Sequence, residues 1–141
     1  MTEQDIKNKN LVLITYLDSI IDGYKVKAEY STNKNDVKVI VVQETSGQKI
    51  VFYDANPIYN YYNIDIFDDN IQNAKDTSVI IGNLIGNNIY FDWNIKVGDN
   101  IESQKWQIMF KQFTNPRTIA YEDIRRVSYT ATLQCIVNRI S

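Results

Sequence analysis

The segment VSYTATLQCIV, residues 127–137, is the clearest strand in the chain and decides the predicted fold class. Its odd positions are all apolar, and its even positions are polar except at Ile136. Successive side chains of a β-strand point to opposite faces of a sheet, so this alternation predicts one core face and one polar face. The predicted core face carries Val127, Tyr129, Ala131, Leu133, Cys135 and Val137.

Two further strands are predicted before this segment. Trp106, Ile108 and Phe110 alternate with other residues, and residues 89–93 form a β-prone run. A Gly-Asp-Asn turn signal at residues 98–100 separates these two strands. A polar connection, residues 114–126, is expected to join the second of them to the final strand.

Two amphipathic helices are predicted from spacings of three and four residues between core-facing positions. The first covers residues 6–22 and is expected to stop at Gly23. The second follows Asp68 and Asp69, which we expect to cap its positive end, and Gly86 is expected to close it. The two stripes are Leu13, Ile14, Leu17, Ile20 and Ile21, and then Ile71, Ala74, Ser78, Ile81 and Ile85.

The region between the helices predicts more strands. Residues 24–30 alternate strictly, residues 37–44 are apolar on both faces, and the turn-rich residues 31–36 between them predict a hairpin. Residues 49–53 predict a further strand or a sheet edge, and residues 63–67 predict another strand. The order of helix, strands, helix, strands indicates an α+β fold, with a mostly antiparallel β-sheet and two helices packed on one face.

Composition limits the possible functions. The length of 141 residues predicts one domain, residues 1–141. The chain contains no histidine, the commonest general acid–base group and metal ligand, so we expect neither an enzyme nor a bound metal or cofactor. The single cysteine, Cys135, lies in the alternating final strand and is predicted to be a buried, structural thiol.

Charge and hydropathy limit the possible partners. The net charge of −2 offers no basic surface of the kind that binds nucleic acid. The polar N-terminus does not resemble a secretory signal, and no apolar run approaches the roughly 18 residues of a membrane span. We therefore expect a soluble protein that is made in the cytosol and has neither nucleic acid nor a membrane as its partner.

Three segments are candidate functional sites. Asp65, Asp68 and Asp69 offer carboxylates to Mg²⁺ or Ca²⁺, although helix capping accounts for the last two without a metal. The aromatic residues at positions 53–62 suit a ligand platform, a core or a protein interface. Residues 115–126 hold three arginines and a tyrosine, which suit either a surface loop with local ion pairs or an inter-subunit contact.

Two stretches resemble a known family. The run NPRTIAYEDIRRVSYTATLQCIVNRI, residues 115–140, is similar to the end of tail-terminator and minor-capsid proteins of long-tailed phages. The run YYNIDIFDDNIQNAKDTSVIIGNLIGN, residues 61–87, looks like that family's unit of an alternating strand followed by an alanine-bearing helix. With gaps, the resemblance covers most of the chain, but the tyrosine-rich part around Tyr59 matches nothing in the family. A tail terminator and a neck ring of a more distant phage are both admissible.

The resemblance implies a structural protein of the virion tail or neck, present in the host cytoplasm during assembly. It implies a homo-oligomeric ring, commonly of six subunits, that caps the tail tube protein and joins it to the head-connector proteins. Tyr129 and Thr130 match the start of the family's last strand. In the preceding loop, Pro116 matches the family's loop-setting proline, and Asp123 and Arg126 match its charged pair before the strand. The further candidates for inter-subunit or tail-tube contacts are Arg117, Tyr121 and Arg125.

Two other functions stay open from the residues alone. A small-ligand or carbohydrate-binding module would use the aromatic side chains of residues 53–62. A metal-dependent hydrolase would use the carboxylates around Asp65.

Overall fold

The computed structural model describes residues 3–28, 37–45, 60–119 and 127–141. The elements within these residues follow the predicted order of helix, strands, helix, strands. They are α1 (Glu3–Ile20), β1 (Lys25–Lys27), β2 (Val39–Glu44), β3 (Asn60–Asp68), α2 (Ile71–Gly82), β4 (Asn88–Val97), β5 (Asn100–Ile119) and β6 (Val127–Arg139).

The described strands form one six-stranded mixed sheet in the order β1-β2-β3-β6-β5-β4. Four of its five strand pairs are antiparallel, and the pair β1 and β2 is parallel. The fold is therefore α+β, as the order of elements predicted. The strand β6 enters between β3 and β5 and is hydrogen-bonded on both edges, which places the most strictly alternating segment of the sequence inside the sheet.

The predicted hairpin between residues 24–30 and 37–44 is wrong. Lys25 pairs with Val39 and Lys27 with Val41, so the two strands run in the same direction. Face alternation is identical in parallel and antiparallel pairs, because both have a period of two residues. The alternation therefore could not decide the strand direction. The strand predicted over residues 49–53 lies outside the described residues.

The strand β5 is longer than predicted and includes residues 114–119, which the sequence placed in a polar connection. Two bulges allow this extension. One adds Lys111 between the pairs of Phe110 and Gln112, and the other lies between Thr114 and Arg117. Each extra residue reverses which face the following side chains take. The second bulge contains Pro116, a residue that sheets tolerate at bulges and edges.

One large cluster of buried side chains joins both helices to the sheet. From α1 it takes Leu13 and Leu17, and from α2 it takes Ala74 and Ile81. The strands contribute inward rows that include Ile40, Val42, Tyr62, Ile64, Ile66, Trp106, Ile108, Phe110, Leu133, Cys135 and Val137. The predicted core face of β6 is buried from Ala131 onward, whereas Val127 and Tyr129 are only half-buried, and Ser128 and Thr130 of its predicted polar face are buried.

A second buried cluster lies on the opposite face of the sheet. It consists of Val39, Val41 and Phe67, whose neighbours along the strands belong to the large cluster. Both faces of β2 are therefore buried, as its apolar pattern predicted.

The helix ends differ from the predicted caps. Asn70 is the N-cap of α2, and its side chain accepts hydrogen bonds from the backbone N–H groups of Gln72 and Asn73. The prediction that Asp68 and Asp69 cap this helix is wrong, because they precede the N-cap by two residues and one residue, respectively. The helix ends at Gly82, and Gly86 lies in the following turn with a φ of 88°. Neither of the two helices in the described ranges is long and apolar enough to span a membrane.

Candidate assembly interface

The hairpin of β5 and β6 is the longest feature of the sheet. The 20 residues of β5 span about 65 Å if fully extended. Its turn to β4 and its connection to β6 therefore lie at opposite ends of the molecule's longest strand. From Trp106 paired with Arg139 to Ile119 paired with Ser128, β6 accompanies β5 along most of its length.

The second half of β5 lies beyond the end of β4. The last register pair between the two strands joins Asn88 to Met109, and the turn before β4 then bonds to Phe110. Among the described residues, no strand pairs with the outer edge of residues 111–119. Within the described part of the chain, this half of the strand is therefore paired along one edge, the edge that faces β6.

Side chains at the end of β5 are exposed on both faces. Pro116, Arg117, Thr118 and Ile119 are all classed as exposed, and 41% of the Ile119 surface remains accessible. A strand that only supported the core would bury every second residue. We call residues 116–119 the arm. It contains an exposed isoleucine and an arginine, and arginine is one of the residue types enriched among the residues that contribute most to binding at protein interfaces.

The predicted contact residues divide into two groups. Pro116 and Arg117 lie in the arm, on the strand rather than in a loop. Arg117 is directly opposite Thr130 of β6, and Thr130 is opposite Asp65 of β3, so the three positions form a row across one face. The other predicted contacts, Tyr121, Asp123, Arg125 and Arg126, lie outside the described residues.

The three aspartates do not form one site. Asp65 and Asp68 lie three positions apart on one strand, so their side chains point to opposite faces. Asp65 accepts a hydrogen bond from the Thr130 hydroxyl, and Asp69 is exposed. In the described part of the chain, no three acidic or cysteine side chains come together as metal ligands.

Asp68 is a fully buried structural carboxylate. It accepts a hydrogen bond from the Tyr24 hydroxyl through Oδ2 and one of 2.9 Å from the Asn70 backbone N–H through Oδ1. Burial raises the pKa of the Asp68 carboxyl, but these hydrogen bonds outweigh burial and hold the pKa below its ordinary value. Burial, together with the bond to Asp68, raises the pKa of Tyr24 to about 12. Asp68 thus joins Tyr24, the residue before β1, to Asn70 at the start of α2.

The tyrosine-rich segment is only partly described. Tyr62 is fully buried in the main core, and burial raises the pKa of its phenol. Its ring is therefore unable to act as a surface platform for a ligand. Tyr61 is half-buried on the opposite face, and Tyr53 and Tyr59 lie outside the described residues.

Cys135 is fully buried, which confirms the prediction of a structural thiol. Burial raises the pKa of this thiol, and Lys9 opposes the increase only in part. A raised pKa disfavours the nucleophilic thiolate. The cysteine therefore supports the core and is not poised for covalent chemistry.

A buried lysine beside Cys135 was missed from the sequence. The Lys9 Nζ donates to Asn60 Oδ1 at 3.4 Å, and the Asn60 amide donates to Glu44 Oε1 at 3.2 Å. Burial lowers the pKa of Lys9, and the charge of Glu44 partly offsets this. A signal was present, because Lys9 precedes Leu13 by four residues and so lies on the core-facing stripe of α1.

Comparison with protein-family models finds no match, and comparison with curated proteins finds none. The assignment of function therefore depends on the residues and geometry of the chain itself.

Proposed function

We propose that this protein is a structural virion subunit of a long-tailed phage. It is a tail terminator or neck-ring subunit, and copies of it form a ring that caps the tail tube and joins it to the head connector. The proposal is supported by the resemblance of residues 61–87 and 115–140 to that family. It is also supported by the form of the β5 and β6 hairpin.

The arm is the observation that carries the proposal. Residues 116–119 lie in a regular strand and yet are exposed on both faces. Ordering a residue costs roughly 1–2 kcal/mol of conformational entropy, and exposed side chains recover little of that from the core. A contact with another subunit recovers it, because it buries the exposed side chains of the arm, including Ile119.

A ring needs two different patches that meet head to tail. We propose the outer surface of α2 as the patch that receives the arm. Its adjacent residues Val79 and Ile80 are 57% and 44% exposed, and the exposed acid Asp76 lies one turn earlier. This apolar and acidic patch complements the apolar and basic composition of residues 116–126.

In the same proposal, both helices cover one face of the sheet and leave the other to the ring or its partners. Support comes from Leu17 of α1 and Ala74 of α2, which belong to one buried cluster with Ile64 of β3. The next residue of that strand, Asp65, points to the opposite face.

The test is the double substitution Arg125→Ala and Arg126→Ala. We expect a folded protein whose oligomer is lost or reduced, measured by multi-angle light scattering and by negative-stain images. Lys38→Ala with Lys105→Ala is the matched control, since it removes the same charge from two exposed positions outside both α2 and residues 116–126. An unchanged oligomer in the arginine variant would reject the proposed contact.

A small-ligand or carbohydrate-binding module is the alternative function, but the burial of Tyr62 removes one of its aromatic rings. A single-subunit mass together with a saturable thermal shift on adding a sugar would support the alternative instead.

A further inference from the structure

Among the residues that the structure describes, the outer edge of β4 is an open sheet edge. It extends over ten residues, and none of the other described strands pairs with it. Natural sheets usually blunt such edges with short strands, prolines, bulges or lysines. The strand β1 at the other edge follows that rule, with three residues of which two are lysines. In contrast, β4 contains no proline or glycine, and its register with β5 is continuous.

The backbone groups that face this edge can be assigned. Phe110 accepts a hydrogen bond of 2.8 Å from the Gly86 N–H and donates one of 3.2 Å to the Asn87 carbonyl. Hydrogen-bonding direction alternates along a strand, so the even residues of β5 face β4, and their partners are the odd residues of β4. The even residues of β4 therefore point their N–H and C=O groups to the open edge. They are Asn88, Tyr90, Asp92, Asn94 and Lys96.

The side chains along this edge are incompletely buried. Phe91 and Trp93 pack against the main core, and Trp93 meets Trp106 edge to face at 6.4 Å. Both remain only half-buried, as does Ile95, and 51% of Val97 is exposed. On the other face, 66% of Tyr90 is exposed. A further strand beside β4 would cover the open sides of these residues.

We propose that the occupant is β4 of a second copy of this chain, paired antiparallel about a two-fold axis at Asn94. In this register Asp92 faces Lys96 of the second copy, and by symmetry Lys96 faces Asp92. Trp93 then faces Ile95, and Phe91 faces Val97, so each apolar side chain meets an apolar partner. Cross-strand pairs of opposite charge, and of an aromatic with a β-branched residue, stabilise a sheet.

The charges select this register from its neighbours. An exact two-fold axis requires one residue to face its own copy. A two-fold axis at Asp92 would place two carboxylates opposite each other, which is destabilising. An axis at Trp93 would place Asp92 opposite Asn94 and Lys96 opposite Tyr90, and neither of these is an ion pair. Of these three positions, only an axis at Asn94 places Asp92 opposite Lys96. The open N–H and C=O groups of these residues then form the hydrogen-bonded pairs.

This contact is isologous, since the same surface is used by both copies, and it is independent of the proposed head-to-tail ring. It makes no use of the arm. A strand edge alone is smaller than a standard interface, so we expect a dimer that forms at micromolar concentrations or above.

Disulfide crosslinking tests the register. Asn94→Cys places two thiols directly opposite each other, with Cα atoms about 5.5 Å apart, within disulfide range. Asn88→Cys is the matched control, because it leaves the ion pairs intact and its two copies would be about twelve residues out of register and about 40 Å apart. We expect a covalent dimer on a non-reducing gel for Asn94→Cys and none for Asn88→Cys. The absence of a crosslinked dimer for Asn94→Cys, or equal crosslinking of both variants, overturns the proposal.

A charge exchange tests the ion pairs. Lys96→Glu should raise the dissociation constant of the dimer about tenfold or more, because two attractive pairs become repulsive. Adding Asp92→Lys in the same chain restores opposite charges and should restore the dimer. Sedimentation across concentrations measures both, and circular dichroism verifies that each variant is folded. A wild-type protein without this dimer, or a dimer unaffected by Lys96→Glu, contradicts the proposal.

Discussion

The buried carboxylate of Asp68 provides the sharpest test of how Tyr24 is joined to the start of α2. It accepts one hydrogen bond from Tyr24 and one from the Asn70 N–H. A hydrogen bond to a charged group contributes about 1.5–3 kcal/mol. Asp68→Ala removes both bonds and also the buried charge, so we expect a loss of about 3 kcal/mol in the free energy of unfolding. In a chain of this length, that loss corresponds to about 10 °C in Tm.

Tyr24→Phe separates the two bonds, because it removes only the hydroxyl. We expect a loss of about 1.5 kcal/mol from this change. In the double variant, Tyr24→Phe should cost little beyond Asp68→Ala, since its partner is already absent. Urea denaturation followed by circular dichroism measures all four proteins of this double-mutant cycle. Fully additive losses, or an Asp68→Ala variant as stable as the wild type, would refute a structural role for this pair.

The pH dependence of stability follows from the direction of the Asp68 shift. Its pKa in the folded protein lies below the ordinary value of 3.8. Folding therefore favours the charged form, and the contribution is complete above pH 3.8 and is lost as the pH falls through the lowered pKa. We expect the wild type to lose more stability than Asp68→Ala between pH 5 and about pH 2. A greater loss in the variant would contradict this sign.

Three further predictions concern other residues. Asn70→Ala should destabilise the protein by about 1 kcal/mol through loss of the helix cap, whereas Asp69→Ala at an exposed position should change it little, as measured by chemical denaturation. Cys135 should not react with a thiol reagent in the native state and should react fully in urea; rapid native labelling would show that it is accessible. Lys9→Met should leave Tm unchanged or raise it, because the substitution removes a buried amine whose pKa is lowered by burial. A large decrease in Tm would instead show that the hydrogen bond from Lys9 to Asn60 is essential.

The predictable parts of the fold are those in which the spacing of apolar residues along a single strand or helix determines the buried face. The alternation in residues 127–137 placed Leu133, Cys135 and Val137 in the core, because a strand side chain reaches only the face that its position dictates. Leu13 and Leu17 were predictable for the same reason on a helix. These patterns need no knowledge of which element lies opposite.

The parts that failed depend on contacts distant in sequence. The sequence could not select the cap of α2 among Asp68, Asp69 and Asn70. Asp68 instead accepts a hydrogen bond from Tyr24, which lies 44 residues earlier in the chain. The direction of β1 relative to β2 depends on the path of the chain between them, and alternation does not encode it. The length of β5 was missed because Pro116 and the surrounding polar residues are typical of a loop, and the bulge that accommodates them is a feature of the pairing with β6.

The composition of residues 115–126 could be read from the sequence, whereas the structural position of Pro116 and Arg117 could not. Arginine and tyrosine indicated a contact in residues 115–126, and Pro116 and Arg117 do lie at an exposed end of the sheet. Exposure on both faces of a strand depends on the neighbouring strands, and so only the structure reveals the arm. The open edge of β4 was likewise hidden, because an edge strand and an internal one can share the same alternation.

The central claim is that this protein works by binding copies of itself. Its most direct test is the mass of the purified wild-type protein across a range of concentrations, by multi-angle light scattering, with negative-stain images of the same fractions. The account predicts closed rings whose mass is a multiple of the mass of one chain. For a hexamer, the multiple is six. A single-chain mass at every concentration, with no rings in the images, would contradict it.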